Sequence, residues 1–193
     1  MASTIKIPAD LTIVTVSTGG SNQPQRWTPD YARSVLDNAS GLLKDRAQIQ
    51  FYLNSSEAAV EEMPAGTRSD VVDEPGYHFL VARHPASTGV RVLLVDRVAQ
   101  RDVGGEARAE TRVCLVAFGA DLGSTGRMLA HELGHLLDLD HVERIAGPGN
   151  EKQNAAAARN LMNAGALNPI AELTADQVRQ ARGSALAARF GGP

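Results

Sequence analysis

Short apolar runs and one amphipathic segment organise the first part of the chain. Residues 11–16 and 48–53 are short and rich in β-branched or alternating apolar side chains, which is typical of strands. Between them, Thr28 followed by Pro29 is a helix-start signal, and residues 29–45 carry apolar side chains at helical spacing. The order strand, helix, strand predicts a parallel pair joined by a right-handed crossover.

Three further apolar runs predict strands, at residues 77–82, 90–95 and 113–118. The first two are separated by a short Pro- and Gly-containing link, which favours an antiparallel pair. The run 113–118 is apolar throughout and is expected to be buried on both faces of a sheet. The segments 54–76 and 96–110 are polar or charged, so we predict loops there, with at most one short helix near 57–62.

The remaining pattern is helical. Ser124 is a candidate N-cap for a helix over about 125–138 with a leucine stripe, and Thr174 opens a capping box for a helix that runs to about residue 189. The expected fold class is therefore α+β. It comprises a twisted, mixed, mostly parallel five-stranded sheet, a backing helix and the 125–138 helix in a subdomain of residues 1–139, and a small helical subdomain of residues 140–193.

Composition narrows the possible functions. The 193 residues are 43% apolar with a net charge of −3, which is typical of one globular domain. Lysines and arginines are scattered and no stretch approaches 18 apolar residues, so neither a nucleic acid nor a membrane is expected as a partner. Cys114 is the only cysteine and lies in an apolar run; we expect a buried side chain, and a metal site must use histidines and carboxylates.

The 125–138 helix carries a candidate metal site. His131 and His135 are four residues apart, so they lie one turn apart on the same helix face. His141 follows six residues later, after the chain has room to turn back. Three imidazoles with a fourth position left for water form the catalytic type of zinc site. Glu132 borders that position without ligating the metal and is placed to take a proton from the water.

Other readings of these residue types remain open. The histidines of the cluster could instead be exposed or bonded to backbone carbonyls. His78 and His84 lie outside the cluster, and we expect a strand histidine and a turn histidine. Three acidic residues could hold calcium, but their spacing matches no calcium loop and favours a solvated acidic segment; they are Asp70, Asp73 and Glu74.

Residues 131–141 resemble the zinc-binding consensus of the metzincin metalloendopeptidases, His-Glu-x-x-His-x-x-Gly-x-x-His. Arg159-Asn160-Leu161-Met162-Asn163 resembles the Met-turn of that clan. The resemblance implies a metzincin-like fold and one catalytic Zn²⁺ held by His131, His135 and His141. It also implies that Glu132 is the general base and acid and that Met162 lies beneath the metal.

Two departures from the consensus affect the prediction. Asp138 stands where the clan has Gly, at the helix break that delivers the third histidine. Asp tolerates positive φ at a cost of about 1 kcal/mol, so we predict a strained but intact bend. No tyrosine follows Met162, so transition-state charge is expected to fall on zinc and backbone amides.

The resemblance implies hydrolysis of internal peptide bonds in a protein or peptide that lies extended along a sheet edge, for which 90–95 is the candidate. By family analogy the pocket beyond the cleaved bond is walled by Ala164, Gly165, Ala166 and Leu167. A monomer is expected. Residues 1–8 show no signal-peptide pattern, yet a free endopeptidase is hazardous in a cytosol, which favours secretion or export.

Two rival functions use the same residues. A catalytically degenerate relative would bind zinc and grip a peptide without cleaving it, although the intact Glu132 argues against this. A structural zinc domain would close the site with a fourth protein ligand, for which Asp138 and Asp140 are the candidates.

Overall fold

A computed structural model describes residues 3–18, 21–22, 26–63, 72–98, 104–142, 150–163 and 171–192. The described residues form six strands and six helices. The strands are β1 (Ile5–Thr18), β2 (Ser21–Asn22), β3 (Ile49–Glu62), β4 (Val90–Val95), β5 (Gly105–Arg108) and β6 (Val113–Ala117). The helices are α1 (Pro29–Ala47), α2 (Glu74–Arg83), α3 (Leu122–Leu136), α4 (Glu151–Arg159), α5 (Ala175–Gly183) and α6 (Ala185–Ala188).

Five strands form one mixed, mostly parallel sheet in the order β3-β1-β4-β6-β5. The first four are mutually parallel, and β5 pairs antiparallel with β6 at the edge. The two-residue strand β2 pairs antiparallel with the end of β1. The parallel pairing of β1 with β3 around α1 confirms the strand-helix-strand prediction, and the α+β fold class is also confirmed.

Helices cover both faces of the sheet. Side chains alternate between the faces along each strand, so one strand contributes to two cores. Val92 and Leu94 of β4 pack in the core that includes α1 and α3, whereas Leu93 and Val95 pack in the core that includes α2. Cys114 of β6 is fully buried in the first core, and its burial raises the pKa of the thiol well above the usual value. Its predicted role as a small buried side chain is confirmed.

The predicted strand at 77–82 is wrong, because these residues belong to helix α2. Asp73 is the N-cap and accepts a hydrogen bond from the Gly76 amide, and a proline lies in the first turn. Tyr77 and Leu80 are buried at helical spacing. The expected antiparallel pair is also wrong, since β4 pairs in parallel with β1 and β6.

Both edge strands of the sheet include segments for which the sequence predicts loops. Strand β3 continues to Glu62, where a loop or short helix was expected, and β5 lies within the predicted loop 96–110. Most of β3 beyond residue 53 is exposed, so its side chains show no apolar alternation that would predict a strand. Strand β4 lies in the interior, so the substrate edge predicted at 90–95 is wrong; the edge on the α3 side of the sheet is β5.

In the C-terminal part, helix α5 packs against α1. The capping box of Thr174 and Gln177 starts α5, as predicted. The helix does not run on to residue 189, because Ser184 is extended and caps the separate short helix α6. Arg182 donates to the carbonyl oxygen of Ala47 at the end of α1. No helix in the described parts of the chain is long and apolar enough to cross a membrane.

A buried carboxylate stabilises the junction of β1, β3 and β4. Asp10 is 3% exposed and accepts hydrogen bonds from Asn54, Ser55 and Ser87. Burial by itself would raise the pKa of Asp10, but these hydrogen bonds and the charge of Arg91 outweigh it and hold the pKa below its usual value.

Asp10→Asn is therefore expected to lower the free energy of unfolding by about 1–3 kcal/mol at neutral pH. Because the native-state pKa is depressed, the contribution of this carboxylate is present above its unfolded-state pKa and is lost as the pH falls through the native-state pKa. Urea unfolding at pH 7 and at about pH 3 measures this, and the two proteins should differ less at the acidic pH. Equal stability of the two at pH 7 would contradict the assignment.

Candidate metal centre

Helix α3 is anchored by its apolar stripe and carries two of the three histidines of the predicted metal site. Its N-cap is Asp121, and Ser124, the predicted N-cap, instead completes the capping box from inside the helix. Leu129, Leu133 and Leu136 are buried against the sheet, as the leucine stripe predicts. The helix ends at Leu136, two residues earlier than predicted.

Three imidazoles converge at the end of this helix. The Nε2 atom of His135 lies 3.2 Å from Nε2 of His131, and Nε2 of His141 lies 3.1 Å from each of the other two. Nitrogens about 2.0–2.1 Å from a tetrahedral zinc ion lie about 3.3–3.4 Å from one another. The spacing of the three atoms is close to that of one face of such a tetrahedron, so the cluster can hold a metal ion.

Backbone carbonyls orient two of the rings. Nδ1 of His131 lies 2.8 Å from the carbonyl oxygen of Leu161, and Nδ1 of His135 lies 2.8 Å from that of Leu139. A carbonyl oxygen only accepts, so each Nδ1 carries the proton and each neutral ring has its lone pair on Nε2. Two lone pairs 3.2 Å apart cannot hydrogen-bond to each other, and a shared cation would stabilise both.

Burial keeps these rings neutral. It lowers the pKa of His131 to about 4, and it lowers the pKa of His135 as well, despite the nearby charge of Asp140. Neutral imidazole is the form that binds metals, so at neutral pH the two rings have their ligand state without first losing a proton.

No carboxylate in the described parts of the chain joins the three histidines. Asp138 and Asp140, the candidates for a fourth ligand, are both exposed and stay outside the cluster. Within the part of the chain that the structure describes, the candidate ligand set is the three imidazoles.

The other candidate metal residues do not gather at this centre. His84 lies 2.9 Å from Glu61, and His78 lies on α2 next to Glu74. Of the acidic residues considered for calcium, Asp73 caps α2, Glu74 lies in its first turn, and Asp70 is outside the described residues.

The bend predicted at Asp138 is present. Asp138 has φ +62°, and the amides of Asp138 and Leu139 donate to the carbonyl oxygens of His135 and Gly134. This is a Schellman C-cap with an aspartate in the left-handed position that usually holds glycine. The cap turns the chain, so that the carbonyl oxygen of Leu139 lies against the ring of His135 and His141 comes two residues later.

Asp138→Gly is expected to raise the free energy of unfolding by up to about 1 kcal/mol, because glycine adopts positive φ without strain. The Asp138 side chain is exposed, so its loss leaves no buried gap. Thermal unfolding measures the stability, and metal titration should show unchanged affinity. Loss of metal binding in this variant would show that the aspartate itself supports the bend.

The turn around Met162 holds both ligand segments. The Leu161 carbonyl orients His131, and the Met162 carbonyl accepts from the amide of Val142, next to His141. Met162 is fully buried, and a Cβ at Gly134 would lie 2.5 Å from its sulfur. The missing side chain at Gly134 therefore lets the methionine pack directly against helix α3.

Glu132 is buried beside the edge strand. It is 5% exposed, and a Cβ at Gly105 of β5 would lie 2.7 Å from its Cγ. Burial, with a smaller effect of the charge of Glu106, raises the pKa of Glu132 to about 8. Among the described residues none donates a hydrogen bond to its carboxylate.

Several residues that shape this centre are missed by sequence reasoning. Gly105 stands in a charged segment without strand signals, and the carbonyls of Leu139 and Leu161 are backbone groups with no side-chain signature. The predicted pocket residues Ala164, Gly165, Ala166 and Leu167 lie outside the described residues.

Comparison with known proteins adds no relative: no family model matches the chain, and the search of curated proteins found no match. What the residues themselves establish is a cluster of three histidines that can hold a metal ion, on an α+β fold.

Proposed function

We propose that this protein is a zinc-dependent endopeptidase of the metzincin type, which hydrolyses internal peptide bonds of extended protein substrates. The observation that carries the proposal is the convergence of the three Nε2 atoms, within 3.2 Å of one another, at the end of the helix that also carries the buried Glu132. The motif of residues 131–141, the turn at Met162 and the mostly parallel sheet with an antiparallel edge strand support the same function.

Zinc suits the donor set of His131, His135 and His141. Imidazole nitrogen is a preferred zinc ligand, and three protein ligands with a fourth position for water are the usual set of a catalytic zinc ion. A zinc ion held there would polarise the scissile carbonyl group and make a water molecule more acidic.

Glu132 is the residue we assign to proton transfer. It follows the ligand His131 directly, lies outside the ligand set and packs against Gly105. The charge of a zinc ion held nearby would favour the ionised form of Glu132, and that carboxylate would take a proton from the attacking water and pass it to the leaving amine. Met162 supports the floor of the site through its contact with Gly134.

The substrate is proposed to pair with β5. Among the described residues this strand pairs only with β6, so its other edge is not paired with a described strand. An extended peptide can add to such an edge by main-chain hydrogen bonds. Gly105 belongs to β5 and touches Glu132, which brings the paired peptide next to the reacting centre. We assign the pocket beyond the cleaved bond to residues 164–167.

The test is metal-dependent proteolysis by the purified protein. We expect about one zinc ion per chain by metal analysis, digestion of casein or gelatin, loss of digestion with a chelator and recovery when zinc is restored. Tight zinc binding without cleavage of either substrate would contradict the peptidase proposal and favour the degenerate peptide-binding alternative.

A further inference from the structure

Helix α5 presents two glutamines toward the metal centre, although it carries none of the three histidines. Gln177 and Gln180 are three residues apart and so lie on the same face of the helix. Gln177 bonds to Asn160, in the turn before Met162, and Gln180 donates to the carbonyl oxygen of Asp138, at the end of α3. Helix α5 therefore contacts two segments of the metal centre, the turn before Met162 and the end of α3.

The first contact is a reciprocal pair of side-chain amides. Nδ2 of Asn160 donates to Oε1 of Gln177 at 2.8 Å, and Nε2 of Gln177 donates back to Oδ1 of Asn160 at 3.2 Å. Oδ1 also accepts from the Met162 amide at 2.9 Å, and Asn160 is 8% exposed. Because both polar ends of Asn160 are paired, the turn has one conformation, which directs the Leu161 carbonyl at Nδ1 of His131.

The second contact acts at the helix break. Gln180 bonds to the carbonyl of Asp138, the residue at positive φ. The carbonyl of the next residue, Leu139, orients the ring of His135. A shift of this backbone would rotate that ring, since Nδ1 of His135 follows the carbonyl to which it is bonded.

We infer that Gln177 and Gln180 are positioning residues of the metal centre: through two backbone carbonyls they orient His131 and His135, and so set metal affinity and ligand geometry. The inference rests on the metal site of the proposed function but not on peptidase activity. Groups hydrogen-bonded directly to metal ligands change metal affinity by about 10–100-fold when they are replaced, so these glutamines, which act through such groups, are expected at the lower end of that range.

Gln177→Glu is the sharpest variant for this inference. Glutamate keeps the oxygen that accepts from the Thr174 amide, so the capping box of α5 is retained. It replaces the Nε2 donor with an oxygen that faces Oδ1 of Asn160. An added negative charge alone would strengthen cation binding, so a weaker affinity would report misplaced ligands rather than electrostatics.

Zinc affinity is measured by competition with a chromophoric chelator, and ligand geometry by the visible absorption of the Co²⁺-loaded protein. We expect Gln177→Glu and Gln180→Ala each to weaken zinc binding by about 10-fold or more and to shift the cobalt bands. Gln180 is exposed, so its replacement tests the inference independently of any folding defect at Gln177.

The matched control is Arg179→Ala, on the same helix between the two glutamines. Its side chain is 73% exposed and pairs with Asp176, so affinity and cobalt spectrum should match the unaltered protein. If both glutamine variants bind zinc within twofold of the unaltered protein with unchanged cobalt bands, the inference is overturned, whatever their urea stability. A wild-type protein that binds zinc without digesting casein would contradict the proposed function only.

Discussion

Glu132→Gln is expected to abolish casein digestion while zinc binding is retained. Glutamine has the same shape but cannot accept the proton of the attacking water, and the loss of a general base or acid typically lowers kcat by about 10²–10⁴-fold. The three ligand nitrogens are untouched, so zinc stoichiometry should not change. Digestion assays and metal analysis on the same preparation separate the two effects.

The same variant is expected to be at least as stable as the unaltered protein. Glu132 is 5% exposed and receives no hydrogen bond from the other described residues, so the native state bears the cost of burying a carboxyl group. Thermal unfolding of the metal-free proteins measures this.

A matched control for the digestion assay is Glu106→Gln on the adjacent strand, which should keep most of the activity. Undiminished digestion by Glu132→Gln would refute the assigned mechanism.

Gly105→Ala is expected to lower kcat by about 100-fold, since a displacement of about 1 Å in a catalytic group has an effect of this size. The added Cβ would lie 2.7 Å and 2.9 Å from Cγ and Cδ of Glu132 and 2.6 Å from the carbonyl oxygen of Leu115. Neither neighbour can accommodate it without movement, so the carboxylate or the edge strand must shift. We also expect a loss of stability of about 1–3 kcal/mol.

Zinc affinity should stay within a few-fold in Gly105→Ala, because the three atoms nearest to the added Cβ belong to Leu115 and Glu132, not to a ligand or an orienting carbonyl. The control is Ala107→Gly, which loosens the same strand without adding an atom beside Glu132. That variant should lose some stability and keep kcat. If the two variants have the same kcat, the contact between Gly105 and Glu132 has no part in catalysis.

The predictions that succeeded depend on local patterns. The Thr28 cap and the apolar spacing behind it predict α1, and the structure has Thr28 as N-cap with a hydrogen bond to Tyr31. The continuous apolar run 113–118 predicts an interior strand, and all of β6 is buried. An element that buries one whole face or both faces has a recognisable apolar pattern in its sequence, whatever the rest of the fold. For this reason α1 and β6 could be predicted.

The failures lie where burial is slight or one-sided. The long extension of β3 and the short strand β5 are edge elements, whose conformation comes from backbone pairing with β1 and β6 rather than from apolar side chains. Helix α2 was predicted as a strand because its apolar run is compatible with either period over six residues. The helical conformation is selected only by tertiary packing, in the core between α2 and the sheet where Tyr77 and Leu80 are buried.

The sequence by itself was enough to predict the clustering of the three histidines, the position of Glu132 beside them and the bend at Asp138. These features depend on helical periodicity and on the restriction on positive φ, which act within about ten residues of chain. The catalytic role of Glu132 and the identity of the metal stay predictions. Tertiary structure alone decided which groups complete the centre: the carbonyls of Leu139 and Leu161, and Gly105 on the edge strand. Backbone carbonyls are identical at every residue, and a glycine shows its purpose only when folding brings another side chain against it.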